Sequence, residues 1–151
     1  MTILYDRCGI GNAITDVLAK VETSFLSTQG LVPGSMTLID MDRAQALCSM
    51  IEIEQETGGG SAANTCAVAA QLGARVAYLG KVAGDSFGKA FAHDVRDSGI
   101  IFPSAPLDAR VNANLSTACC IVPVTPHAPP TMNTHLGARA PSSPEAGLPL
   151  V

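Results

Sequence analysis

Gly58-Gly59-Gly60-Ser61-Ala62-Ala63-Asn64-Thr65-Cys66-Ala67-Val68-Ala69-Ala70-Gln71-Leu72-Gly73 decides the fold. Three glycines run straight into a helix. Ser61 stands at the N-cap, where its hydroxyl can accept a free N–H of the first turn. Gly73 ends the helix where a positive φ is usual. The residues between are small on nearly every side, which predicts a buried helix packed close to its neighbours. Asn64 is the polar exception. Helical side chains lean back toward the N-terminus, so Asn64 points at whatever the glycine loop holds. Glycines admit a ligand to the backbone, and a helix N-terminus favours anionic or hydrogen-bond-accepting groups. The competing interpretation is a tight strand-to-helix turn in which Asn64 bonds the loop's own backbone. A P-loop is excluded, because Gly60-Ser61 has no lysine beside it.

At 151 residues the chain has the length of one domain and can bury a core. It is 47% hydrophobic, only 15% charged and without Trp, so a core of Ala, Val, Leu and Ile is expected. The net charge of −4 and the lack of a basic stripe argue against a nucleic-acid partner, whose phosphates need clustered Lys and Arg. The apolar runs are too short and interrupted to span a bilayer, so no membrane partner is expected. No basic segment followed by an apolar run marks a secretory signal. The expectation is a cytoplasmic protein. Cys8, Cys48, Cys66, Cys119 and Cys120 contain no C-x-x-C spacing and make a poor disulfide framework. Cys66 is expected to be a small core residue. His93, His127 and His135 are scattered, so no metal site is expected.

Upstream, Ile3 to Ile10 reads as a buried first strand turned by Gly11-Asn12. Gly9-x-Gly11 is a partial dinucleotide fingerprint, but Ile14 stands where the third glycine belongs. Asn12 and Asp16 fall just past the strand, where open α/β sheets bind ligands. Alternatively, Asn12 makes the turn and Asp16 caps something local. Val17 to Val21 reads as a short strand, Ser24 to Leu31 as a short helix closed by Gly30, and Gly34 to Ile39 as a strand. Asp40 or Asp42 caps a helix over Met41 to Ile51, with Ala44, Leu47, Cys48 and Ile51 on one face. Ile53 to Thr57 leads as a strand into the glycine loop. Downstream come a strand at Ala74 to Leu79 and a glycine-rich turn at Gly80 to Asp85. A helix from Phe87 to Ser98 follows, capped by Asp85 or Ser86 and closed by Gly99, then a strand from Ile100 to Pro103. Lys81 either touches a phosphate or is a solvated surface lysine. The alternation predicts α/β with a mostly parallel sheet. Thr117 to Thr125 is a strand that Pro123 places at an edge or bulges. Thr131 to Leu136 is its hairpin partner across the Pro126–Pro130 turn. Seven of the ten prolines follow residue 120, and residues 137–151 carry no usable periodicity, so an unstructured tail is expected.

Four pieces, in this order, resemble the N-terminal part of a PfkB-family kinase, one of the ribokinase-like sugar and nucleoside kinases. They are Gly11-Asn12-x-x-x-Asp16, Gly59-Gly60-Ser61-x-x-Asn64 with Ala69-x-x-Leu72-Gly73, Gly80-Lys81-Val82-x-Gly84-Asp85-x-x-Gly88, and Thr131-Met132-Asn133-Thr134. The form is nearest the adenosine-kinase-like members, because Gly-Ser precedes the Asn. The resemblance implies an incomplete ribokinase-like three-layer α/β sandwich with a small β-sheet lid. Residues 1–136 would be the kinase portion, with lid segments at about 16–39 and 105–136. It implies ATP- and Mg2+-dependent phosphoryl transfer to a hydroxyl of a sugar or nucleoside held between lid and core. Asn12 and Asp16 would bond its hydroxyls, and Gly59, Gly60, Ser61 and Asn64 would meet it from the other side. A carboxylate such as Asp16 can accept two vicinal hydroxyls at once.

Cys66 departs from the family's usual Ser, Thr or Ala, and Ala83-Gly84 alters the second turn. The Gly-Ala-Gly-Asp motif, whose Asp is the family's base, has no counterpart, and most of the ATP site is missing with it. No catalytic residue is therefore assigned. The expectation is a truncated chain that carries the acceptor half, has no useful activity alone and dimerises through the lid or an open sheet edge. A non-catalytic sugar- or nucleoside-binding module and, from Gly9-x-Gly11, a dinucleotide-binding protein are the alternatives.

Overall fold

A computed structural model of the chain describes residues 4–107 and 115–138. Eleven elements follow one another there: β1 (Arg7–Ile10), β2 (Ile14–Lys20), α1 (Thr23–Thr28), β3 (Met36–Leu38), α2 (Met41–Ser49), β4 (Gln55–Gly59), α3 (Ser61–Gln71), β5 (Val76–Leu79), α4 (Ser86–Asp97), β6 (Ala118–Val124) and β7 (Met132–His135). Local chemistry sets many of the boundaries. Asp40 caps α2 by accepting the Arg43 N–H at 2.8 Å, and Asp85 caps α4 by accepting that of Gly88 at 2.8 Å. Gly30, Gly73 and Gly99 all follow helices with positive φ. At the end of α3 the Gly73 N–H bonds the Ala70 carbonyl and the Ala74 N–H that of Ala69, which satisfies two of the helix's last carbonyls.

The strands form two sheets. β1 and β5 pair in parallel. The other sheet has the order β3-β7-β6-β2-β4, with β2–β6 and β3–β7 parallel and β2–β4 and β6–β7 antiparallel. The expectation of a mostly parallel sheet is thus corrected to a mixed arrangement. It failed because β4 turns back along β2 instead of continuing the β1–β5 sheet. β2 alternates with period two: Thr15, Val17 and Ala19 are buried, while Ile14, Asp16 and Leu18 are half-buried on the other face. β2 begins at Ile14, earlier than expected, so Asp16 lies inside a strand. β4 extends through Gly58 and Gly59, so two of the three loop glycines are paired residues.

Two cores lie on either side of this plan. One gathers Val76, Tyr78, Phe91, Val95, Ile100 and Phe102 beneath α3 and α4. The three aromatic rings stand 5.6–6.1 Å apart, so this core is anchored by aromatics rather than by aliphatic residues alone. The other packs Val17, Cys119 and Ile121 of the five-stranded sheet against Ala44 and Leu47 of α2.

Other expectations are corrected as well. β1 is short and largely exposed, with Ile10 at 67%, because α3 covers only one of its faces. α3 is not buried all round: Ala63 and Cys66 face the core, while Val68 is 57% exposed on the opposite side. Ile100–Pro103 makes one parallel bridge, Ile101 to Ala77, and no full strand. β6 is a central strand rather than an edge. It tolerates Pro123 because its pairing with β7 ends at Ile121, so a missing N–H on that side breaks no ladder. The β6–β7 hairpin is present as expected. Of the proposed tail, Gly137 and Ala138 are described and residues 139–151 lie outside the described residues, as do residues 108–114 of the second lid segment. No helix among the described residues is long and apolar enough to cross a membrane.

Candidate acceptor site

The registers place one transverse row across the five-stranded sheet. Leu38 of β3 lies opposite Thr134 of β7, Thr134 opposite Cys120 of β6, Cys120 opposite Asp16 of β2, and Asp16 opposite Thr57 of β4. Thr134 Oγ1 donates to Cys120 Sγ at 3.3 Å. Asp16 is half-buried, and no described residue donates a hydrogen bond to it. Burial pushes its carboxyl above the usual carboxylate range. Burial also raises the Cys120 thiol, with the nearby Asp16 charge acting in the same direction.

Gly59 lies diagonally across from Asp16, and a Cβ built there would fall on the Asp16 carboxylate. A side chain there would have to displace that carboxylate. Gly60 has φ +95°, in the region that favours glycine, and its open side faces the Asn12 carbonyl. Tyr78 Oη donates to that carbonyl at 3.0 Å, and burial raises the phenol to about 12, so it stays a donor at neutral pH. Asn12, Asp16, Gly59, Gly60 and Ser61 therefore come together at the mouth of the glycine loop.

Ser61 is not the N-cap. It is the first residue of α3, Gly60 occupies the cap, and no side chain caps that end. The extended strand runs one residue further than the sequence suggests, which shifts the cap onto the glycine. The Asn64 N–H closes the first helical bond to the Gly60 carbonyl at 2.9 Å. Its side chain is exposed and lines a groove of about 470 Å³ between α3 and α4, together with Thr57, Gly58 and Asp94. The groove reaches the glycine loop through Gly58.

Gly9 and Gly11 have a packing role. A Cβ at Gly9 would meet Cys66 Sγ, and one at Gly11 would lie 2.8 Å from Ala62 Cβ, so both allow α3 to approach β1 closely. The other Gly-Asp that opens a helix, Gly84-Asp85, offers no free base. Its carboxylate accepts the N–H groups of Gly88 and Thr117 and the Thr117 hydroxyl. No group of three or more His, Cys, Asp or Glu among the described residues is placed to hold a metal ion. The Asp16 carboxylate, with no donor among the described residues, can accept hydrogen bonds from hydroxyl groups.

Sequence reasoning missed Tyr78, Cys120 and Thr57. Their roles come from strand register and long-range contact, for which a single sequence carries no local signal.

The profile of the pfkB family of carbohydrate kinases matches residues 32–147. No curated protein matches. Among solved structures, the adenosine kinase from Sinorhizobium meliloti is 43% identical, with a TM-score of 0.79 over 97% of this chain and 43% of its own. A probable sugar kinase from Rhizobium etli CFN 42 is 37% identical, with a TM-score of 0.76 over 91% of this chain and 41% of its own. An adenosine kinase from Trypanosoma brucei brucei, at 24% identity and a TM-score of 0.77, shares the fold. The chain spans less than half the length of each of these proteins.

Proposed function

Since the chain belongs to the pfkB family of carbohydrate kinases, we propose that it holds the phosphoryl acceptor, a nucleoside, for an ATP- and Mg2+-dependent kinase of which it carries the acceptor half. The observation that carries this is Asp16: a half-buried carboxylate with no donor among the described residues, beside glycines that leave room at its oxygens. Two vicinal hydroxyls of a ribose supply the missing donors. Asn12, Gly59, Gly60, Ser61 and Asn64 meet the sugar from the loop side.

A nucleoside is favoured over a bare sugar by the rest of the same sheet face. Ile14, Leu18, Val122, Met132, Met36 and Leu38 lie on it around the polar row, and Met36, Leu38 and Met132 are substantially exposed. An apolar surface beside a carboxylate suits a molecule with a flat apolar part and a hydroxylated part. The 43% identity to an adenosine kinase supports the same choice. In this interpretation the five-stranded sheet is the lid, and the open edge of β3 is where two copies would pair. All five cysteines are free, which suits the cytoplasm.

The alternative, a module that binds without phosphorylating, is favoured by the full engagement of Asp85. Coupled ATP turnover of the purified chain against sugars and nucleosides, with an Asp16→Ala control, tests both. The acceptor-half proposal expects no turnover, with Asp16-dependent stabilisation by a nucleoside. Asp16-dependent turnover would mean that the chain is a complete enzyme. No Asp16-dependent response to any acceptor would remove both interpretations.

A further inference from the structure

Among the described elements, α4 alone packs into both cores, and it is bonded to two strands of the five-stranded sheet and to the residue that leads into a third. Phe87 packs against the α2 core, while Phe91 and Val95 lie in the aromatic core. In β2, Thr15 Oγ1 donates to the Phe87 carbonyl at 2.9 Å. In β4, the Gly58 N–H donates to the Asp94 carboxylate at 2.8 Å. Just before β6, the Thr117 N–H and hydroxyl donate to Asp85, the α4 cap, at 2.8 and 2.6 Å. Thr117 Oγ1 in turn accepts the Ala83 N–H at 2.9 Å. Thr15 and Thr117 are fully buried, so these bonds form away from water. Thr15 lies opposite both Gly58 and Cys119, which puts two of the attachments on one register row.

The candidate site straddles this joint. Asn12 is tied to β5 through Tyr78, and Ser61 and Asn64 ride on α3. Asp16 and Gly59 ride on the sheet, each one residue from an attachment to α4: Asp16 follows Thr15, and Gly59 follows Gly58. The distance between the two halves of the site is therefore set where the sheet meets α4.

We propose that Thr15, Asp94, Asp85 and Thr117 are positioning residues, through which α4 fixes the angle of the sheet and hence the place of Asp16 against the Asn12–Gly60 loop. This rests on the acceptor assignment above. The side chains of Thr15 and Thr117 are fully buried and do not reach the acceptor.

The test uses the full chain with Thr15→Val and Thr117→Val, which remove a hydroxyl at nearly constant shape, and with Thr15→Ser and Thr117→Ser, which restore it. The first measurement is hydrogen exchange without ligand. Faster exchange of β2, β4 and β6 together in the Val variants is expected, with β1, α3 and β5 unchanged and the Ser variants restored. Change confined to the neighbours of the substituted residue, or spread evenly through the chain, would overturn the proposal. The second is adenosine titration of the folded protein. The Val variants are expected to bind about fivefold more weakly, the scale of one lost buried hydrogen bond, and the Ser variants to recover. Unchanged affinity in the Val variants would also overturn it. If the parent chain does not bind adenosine, the acceptor assignment fails, and the exchange pattern alone decides whether α4 controls the sheet.

Discussion

The two faces of the five-stranded sheet are made by the same strands, yet they are used in opposite ways. On one face Val17, Cys119 and Ile121 are wholly buried against α2. On the other, Ile14, Asp16 and Leu18 of β2 and Val122 of β6 are half-buried, and the Asp16 carboxylate has no donor among the described residues. Because side chains alternate along a strand, each stabilising position is next to a site position. Stability and binding should therefore separate residue by residue along β2, where the burial alternates.

The largest effect is expected on the packed face. Ile121→Ala removes a fully buried side chain from the α2 core and should cost about 2–5 kcal/mol of stability. Chemical denaturation measures it. A loss within the range of ordinary surface substitutions would mean that α2 does not hold the sheet. One residue over on β2, Asp16→Ala should leave stability unchanged or raised, because it removes a desolvated carboxyl. It should also abolish nucleoside-dependent stabilisation, which a thermal shift would show. A large loss of stability in Asp16→Ala would erase the contrast between the faces.

Gly59→Ala sharpens the comparison. Its methyl would fall on the Asp16 carboxylate, and the carboxylate is the part that can move. A nucleoside should bind at least severalfold more weakly with a modest change in melting temperature, as isothermal titration beside a melt would show. Wild-type affinity would place the acceptor away from Asp16.

This division was only half legible in the sequence. Caps and stops were legible because they are local: Asp40, Asp85, Gly73 and Gly99 act on groups within a few residues. The cluster Asn12, Asp16, Gly59, Gly60 and Ser61 was legible from the glycine loop, the end of the first strand and the family motifs, and the fold brings those residues together. The strand that holds Asp16 was misplaced, because Thr15-Asp16 interrupts the apolar pattern of Ile14-Thr15-Asp16-Val17-Leu18-Ala19. Thr15 is polar yet buried, and its partner, the Phe87 carbonyl, lies 72 positions away. Gly58-Gly59 gave no strand signal, since glycine is depleted in strands and only the pairing with β2 holds it there. Ser61 is a good capping residue by type, but the extra length of β4 moves the cap to Gly60.

The smallest effect compares two carboxylates with opposite environments. Asp6, just before β1, is exposed and bonded to the Arg75 side chain and backbone, which hold its carboxyl down at about 2. Asp16 is raised by burial. In linkage terms, Asp6 is more acidic folded than unfolded. Its stabilising contribution is present above the ordinary carboxylate value and is lost as pH falls toward about 2. Asp16 has the reverse sign: the folded chain holds its proton longer than the unfolded chain, so stability falls as pH rises through the carboxylate range. Melting the parent, Asp6→Asn and Asp16→Asn between pH 2 and pH 7 should therefore give difference curves of opposite slope. Relative to the parent, Asp6→Asn should lose ground as pH rises, and Asp16→Asn should gain it. Bound nucleoside should shrink or reverse the Asp16→Asn gain, because hydroxyl donors to the carboxylate stabilise its ionised form. Curves of the same sign would mean that Asp16 already has donors in the folded chain, and the open face would then be a packed one.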